Sequence, residues 1–468
     1  MEVPMDTQTT TIDELKSGFS GDVLVPGDPA YDEARQVWNA MIDRRPTLIA
    51  RCESTEDVMA AVRFASDKGL PVSIRGGGHN VAGHAVCDTG VMVDLSKMRS
   101  VRVDPDKRIA YADGGATWAD MDAATQVFGL ATPGGLISET GVAGLTLSGG
   151  FGYLRGQHGL SIDNLLAADV VTADGRLTRA SATENPDLLW ALKGGGGNFG
   201  IVVRFEFALH PVGPEVFFVA PIYAMEDGPG PIRAWRDYIS QHDEALAMIC
   251  EFSTVPEDDE FPQQYWGKKV FALVAVVTGD LDAAEELARP LRELGPLVTD
   301  FSGRMPYAEV QRLFDAQTPF ATMRCYWKAL YLADLPDEMI DLAMANAKAA
   351  PSPNTISSLW NMGHGVRAVA AEATAFGDRS MGWMYSADGV WADAADDAAN
   401  IAWARASWLK AEPFGHEGRA YLNFPGHGED DTLTRAAFGD GYDRLARIKA
   451  QYDPHNMFRF NQNITPAG

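Results

Sequence analysis

At 468 residues the chain exceeds the ~250 to 300 beyond which one hydrophobic core usually divides, so two domains are expected. Its composition, 46% hydrophobic and 22% charged, is that of an ordinary globular protein, and no run approaches the ~20 apolar residues of a membrane span. A formal net charge of −25 with no basic stripe argues against nucleic acid and membranes as partners, and residues 1–20 lack the basic and apolar regions of a secretory signal, so a cytoplasmic location is expected.

Residues 54–68 read as a capped amphipathic helix, with Ser54 at its start, Asp57 three residues on, Val58, Ala61, Val62 and Ala65 on one face, and Gly69 as the stop. A strand over 71–75 delivers Arg75-Gly76-Gly77-Gly78-His79-Asn80, and residues 91–95, 100–103 and 109–112 read as further short strands. Residues 117–128 form a second capped helix, stopped by Gly129. Beyond a glycine block at 134–152, strands are expected near 167–172 and 177–180, then a helix over 186–193, a third glycine block at 194–200 and a strand over 201–209. Prolines at 211, 214, 221, 229 and 231 mark a domain boundary near residue 212. After it, strands near 247–252, 269–278, 324–332, 355–361 and 381–385 alternate with helices near 281–294, 336–349 and 393–410. That order fits an antiparallel sheet backed by helices, and the whole an α+β fold. A helix over 442–452, stopped at Asp453-Pro454, precedes an Asn-Gln-Asn tail.

The stretch 75–80 joins two chemistries. Its glycines let the backbone bring several N–H groups against an anion, as dinucleotide phosphates require, and the imidazole at its end can reach the bound ligand. Residues 195–200, Gly-Gly-Gly-Asn-Phe-Gly, satisfy G-x-G-x-x-G, but a helix precedes them and a strand follows, the reverse of a Rossmann turn. Nine histidines show no H-E-x-x-H pattern, and the spacing of His79 and His84 is weak for a metal, so none is expected. Cys52, Cys87, Cys250 and Cys325 form no C-x-x-C pair and read as buried free thiols.

Taken together, R-G-G-G-H-N, the block A-T-P-G-G-L-I-S-E-T-G-V-A-G-L-T-L-S-G-G-F-G (131–152), G-L-S-I-D-N-L (159–165), N-P-D-L-L-W-A-L-K-G-G-G-G-N-F-G-I-V (185–202) and Y-D-P-H-N-M-F-R-F-N-Q-N-I (452–464) resemble the FAD-linked oxidases of the vanillyl-alcohol oxidase superfamily, in its berberine-bridge-enzyme-like branch. The resemblance runs from about residue 20 to the C-terminus. It implies a two-domain PCMH-type fold: an FAD-binding domain over 1–212 with its core at about 44–212, a substrate-binding domain over 213–412, and a segment 413–468 returning to the FAD side. FAD would lie against Arg75, Gly76, Gly77, Gly78, Asn80 and Gly83, and against Gly135, Thr140, Gly141, Gly144, Gly149 and Gly150 of the second block. Asn164, Gly200, Val202, Asn423 and Asn461 match further cofactor positions. The resemblance also implies that His79 binds the flavin covalently. Ile137 stands where many relatives carry a second, cysteine link, so a single bond is expected.

The implied reaction takes a hydride from a small organic substrate of alcohol, phenol or amine type to FAD, and then passes electrons to O2, giving H2O2. By the same resemblance Thr146 stands near the path of oxygen. Thr140 and the single link are shared with relatives that oxygenate through a flavin N5-oxide, so an oxygenase stays open beside an oxidase, as does a dehydrogenase with another acceptor. Candidates for the proton-handling and substrate-facing groups are Glu251, Tyr326, Lys328, Trp360 and Tyr385, all on predicted strands. Several relatives carry a carboxylate on the strand where this chain has Ser357-Ser358. Glu251 is then the candidate base, since a carboxylate among apolar strand neighbours is costly unless paired or functional.

Overall fold

The computed structural model describes residues 11–317, 319–377, 379–416, 421–424 and 431–468, with side chains omitted at 431–433. Residues 1–10 of the N-terminal reading, and 417–420 and 425–430 of the C-terminal segment, lie outside the described residues.

Three larger sheets organise the described residues, beside a two-stranded one that pairs Leu130–Ala131 with His210–Pro211. In the first, Leu48–Arg51 and Val72–Arg75 flank Val91–Asp94 in parallel, with Asp22–Leu24 at the edge, and the helix Thr55–Asp67 joins Leu48–Arg51 to Val72–Arg75. That helix has its Ser54 oxygen accepting from the Asp57 N–H, the cap read from the sequence, and it buries Val58, Ala61, Val62 and Ala65. A five-stranded antiparallel sheet follows, in the order Val101–Asp104, Ile109–Asp113, Ile201–Ala208, Leu165–Val171, Leu177–Ser181. Helix Pro186–Leu192 precedes the third glycine block and strand Ile201–Ala208 leaves it, as expected for a non-Rossmann loop.

The third sheet is antiparallel and has nine strands. Its main path is Leu297–Asp300, Pro221–Ala224, Lys269–Val277, Ile249–Thr254, Ile356–Asn361, Trp383–Trp391, Arg324–Leu332. One face is covered by helices Gly230–Ile239, Leu281–Ala288, Asp337–Lys348 and Asp397–Ala411, whose Trp235, Ala284, Ile340 and Trp403 share a core with Cys250, Phe252, Leu330 and Tyr385. The opposite face carries Ile249, Val274, Ala329, Trp360 and Met384 against Phe151, Tyr153, Leu160 and Ile162. Strand alternation sorts each side chain to one face or the other.

Several elements add to or depart from the sequence reading. The proline-marked stretch 211–231 is built into the third sheet as Glu215–Val219 and Pro221–Ala224, and its last prolines open helix Gly230–Ile239. Proline is accommodated at the start of a strand and in the first turn of a helix, where no N–H is needed. The second glycine block contains helix Val142–Leu147. The strand expected over 381–385 runs instead over Trp383–Trp391, because pairing to neighbours on both sides overrides the turn-like Ser-Ala-Asp-Gly at 386–389. All four cysteines are buried and free.

Candidate active site

The strand Val72–Arg75 ends at the first glycine loop, and helix Val142–Leu147 starts from the second. The two loops touch through backbone: a Cβ on Gly77 would lie 2.4 Å from the Gly141 nitrogen, and one on Gly141 the same distance from the Gly77 nitrogen. Only glycine permits that approach. Between these loops, the third glycine block and the face of the nine-stranded sheet opposite its helices lies a cavity of about 320 Å³. Gly76, Gly77, Gly78, His79 and Asn80 line one wall; Gly135, Thr140, Gly141 and Gly144 continue it. Gly200 and Val202 close it from the third block, and Asn423 and Asn461 from the C-terminal segment. Ile137, at the position of the second link in relatives, also faces the cavity.

His79 stacks on Trp38, with ring centroids 4.3 Å apart and planes at 21°. Its Nε2 is buried without a hydrogen-bond partner. Burial pushes the imidazole down to about 4, so the ring is neutral at physiological pH. A neutral, oriented imidazole beside a loop of bare backbone is the arrangement that covalent attachment to a bound ligand needs.

On the sheet side, Glu251 and Trp360 line the cavity, as expected. Burial raises the Glu251 carboxyl to about 7. Asp388, which the sequence reading missed, lines the same wall and is 8% exposed. Its Oδ2 accepts from the Ser386 hydroxyl at 2.8 Å, and the Ser386 oxygen accepts from Trp360 Nε1 at 3.4 Å. Its Oδ1 is buried with no partner. Burial lifts Asp388 to about 8, opposed by the Ser386 bond and assisted by the Glu251 charge. Directly across from Asp388 on the neighbouring strand stands Trp327, whose Nε1 is likewise buried and unpartnered. The signal for Asp388 was present as a carboxylate two residues from Ser386, but the Asp-Gly pair reads locally as a turn.

Three other candidates point away from the cavity. Tyr326 and Lys328 share the helix-facing side of Arg324–Leu332: the Tyr326 hydroxyl accepts from Arg405 Nε at 2.9 Å, and Lys328 Nζ lies 4.4 Å from the Trp408 ring centre. Tyr385 does the same on its strand, accepting from Asn346 Nδ2 at 3.1 Å. Their odd neighbour Trp327 and even neighbour Asp388 face the cavity instead, which is the consequence of alternation with the opposite phase. Thr146 is buried within helix Val142–Leu147, while Leu145 and Leu147 reach the cavity.

The remaining cofactor candidates shape the loops from outside the lining. Arg75 donates to the Ala34 carbonyl and sits 3.8 Å from Asp94. Gly83 closes a turn onto Asn80 beside Ile42. Gly149 and Gly150 take positive φ, and the Gly150 N–H donates to the Tyr421 hydroxyl. Asn164 donates to the carbonyls of His158 and Leu160.

Bare glycine loops, the unpartnered His79 Nε2 and the unpartnered Asn461 Oδ1 suit an extended dinucleotide with a reactive ring at one end. Comparison with known proteins agrees. The FAD binding domain family model matches residues 46–181, and the berberine and berberine-like model matches residues 420–465. (R)-6-hydroxynicotine oxidase from Paenarthrobacter nicotinovorans is 30% identical over 96% of this chain and 98% of its own. The crystal structure of 6-hydroxy-D-nicotine oxidase from Arthrobacter nicotinovorans superposes with a TM-score of 0.84 at 28% identity, covering 96% of this chain and 98% of that one. Glucooligosaccharide oxidase from Acremonium strictum, described with a 6-S-cysteinyl, 8α-N1-histidyl FAD, shares the fold with a TM-score of 0.83 at 22% identity over 97% and 98% of the two chains. The chain therefore belongs to the berberine-bridge-enzyme-like family of FAD-linked oxidases and is an FAD-dependent oxidoreductase.

Proposed function

We propose that the protein is an oxidase that holds FAD through a single covalent bond to His79, oxidises a small organic substrate against the face of the nine-stranded sheet opposite its helices, and uses O2 as the electron acceptor, giving H2O2. The observation that carries this reading is one cavity lined both by the glycine loops with His79 and by the two buried carboxyls Glu251 and Asp388. FAD bound there supplies a two-electron acceptor for the substrate. The first two glycine loops present backbone N–H groups without side chains, and the C-terminal Asn423 and Asn461 close the cavity around the cofactor.

Glu251 accepts the proton that the substrate's O–H or N–H group gives up; raised to about 7, it is a base matched to neutral pH. Asp388, held by Ser386, lines the same wall and keeps one oxygen without a partner. Leu136, Leu145, Phe314 and Phe424 make the rest of that region apolar and exclude water. Ile137, unable to form a thioether, leaves His79 as the single attachment.

Intact mass and acid precipitation test the tether. The purified protein gains the mass of one FAD, and yellow colour stays with the precipitate. His79→Ala releases its flavin into the supernatant. Retention of flavin by that variant overturns the assignment of His79, and failure of the reduced protein to produce peroxide in air overturns the choice of oxygen.

A further inference from the structure

The substrate end of the cavity has an unusual balance of charge. Glu251 and Asp388 are the carboxylates among the described residues lining it, and no described lysine or arginine side chain lines it. Arg155, 5.4 Å from the Trp360 ring, is not part of the lining and spends its donors on the carbonyls of Gly152, Met248 and Asn361. Asp388 lines the cavity and is 8% exposed; one of its oxygens is held by Ser386 and the other is buried with no hydrogen-bond partner.

Around these acids stand three aromatic rings set edge to face. Trp327 and Phe424 have centroids 5.0 Å apart with planes at 72°, and Trp360 and Phe424 have centroids 6.0 Å apart, also at 72°. All three line the cavity. Aromatic rings that line a cavity attract a cation that comes over a ring face, and the attraction strengthens when water is excluded. We infer that the cavity recognises its substrate as an organic ammonium ion, with Asp388 as the counter-charge, Trp327, Trp360 and Phe424 as an aromatic box, and Glu251 as the acceptor of the ammonium proton. This rests on the oxidase reading and names its substrate class.

The physical reason is what each ligand would leave behind. A neutral alcohol gives the two buried carboxyls no counter-ion when they ionise, and an organic acid adds further negative charge to a lining with no described lysine or arginine side chain. A cation removes both costs. Both carboxyls are raised toward neutrality in the free protein, as expected for acids awaiting a partner. The net charge of −25 also favours the approach of a cation from a distance.

Calorimetric titration of the flavin-loaded protein at pH 8, without oxygen, tests this with three probes of similar size: benzyltrimethylammonium, benzyl alcohol and benzoate. The quaternary ion has no nitrogen lone pair and is not consumed. It is expected to bind about tenfold or more tightly than benzyl alcohol, with benzoate weakest. Asp388→Asn is expected to weaken the cation about tenfold and to leave benzyl alcohol nearly unchanged. Tighter binding of the alcohol or benzoate, no measurable binding of the cation, or an unchanged cation affinity in Asp388→Asn overturns the inference. The wild-type ranking stands without the variant, so a folding defect there does not remove the test. Flavin content and peroxide formation are read separately, so an absent FAD or a silent reaction with oxygen would sink the oxidase reading without deciding the charge preference.

Discussion

Glu251 lies between Cys250 and Phe252, whose side chains pack under the helices, so alternation turns its carboxyl to the opposite face and into the cavity. Because it must be ionised to accept a proton and its carboxyl is raised to about 7, turnover is expected to rise with pH through that value and to fall on the acid side. Glu251→Gln should lower kcat by about 10²- to 10⁴-fold and flatten the acid limb of the pH profile. A kcat within about threefold of wild type, with the limb intact, would assign the base elsewhere. Glu251 was legible in the sequence because a carboxylate inside an apolar strand stands out. Asp388 was not, because Ser386-Ala387-Asp388-Gly389 carries the local signature of a turn and only its pairing with Ile356 and Trp327 shows it to be strand.

At the scale of elements, the second glycine loop is held from across the cavity by the short segment after helix Tyr307–Val310. The Ser138 N–H and hydroxyl both donate to Asp315, at 2.8 and 2.6 Å, and Gln311 Nε2 donates to the Gly135 carbonyl at 3.1 Å. Gly135, Leu136 and Ile137 of that loop line the cavity, as do Phe314 and Gln317 of the segment that holds it. Asp315→Ala removes two charge-assisted bonds from a partly buried site, a loss of about 1–3 kcal/mol. The expected results are a lower Tm and faster protease cleavage within residues 135–140; unchanged cleavage there would show that the loop holds its shape unaided. The helices and strands themselves were largely visible in sequence. Ser54, Asp57 and Gly69 bracket one helix, and the 3.6-residue spacing of Val58, Ala61, Val62 and Ala65 buries its inner face. The 3₁₀ turns at Gln126–Phe128 and Arg289–Arg292, by contrast, read as continuations of helices, since one extra turn of tighter winding leaves no distinct pattern of residues.

Across the whole molecule, the C-terminal segment is fastened to the third glycine block by a buried ion pair. Lys449 Nζ donates to Asp453 at 2.7 Å and also to the carbonyls of Asn198 and Phe458, while Asp453 accepts from the N–H groups of Met457 and Phe458. Both side chains are fully buried. Lys449→Met would strand the Asp453 charge and should cost about 3–5 kcal/mol, seen as a clear fall in Tm; an unchanged Tm would show that water reaches the pair. The sequence by itself determined the α+β class and the glycine loops with His79, because loop chemistry and periodicity are local properties carried by adjacent residues, and the family and its cofactor followed from the resemblance of those motifs. Only the tertiary structure decided which faces of the strands meet the cavity. It turned Tyr326, Lys328 and Tyr385 away and brought Asp388 and Trp327 in, since the phase of an alternating strand is set by the layer that packs on it rather than by its own residues.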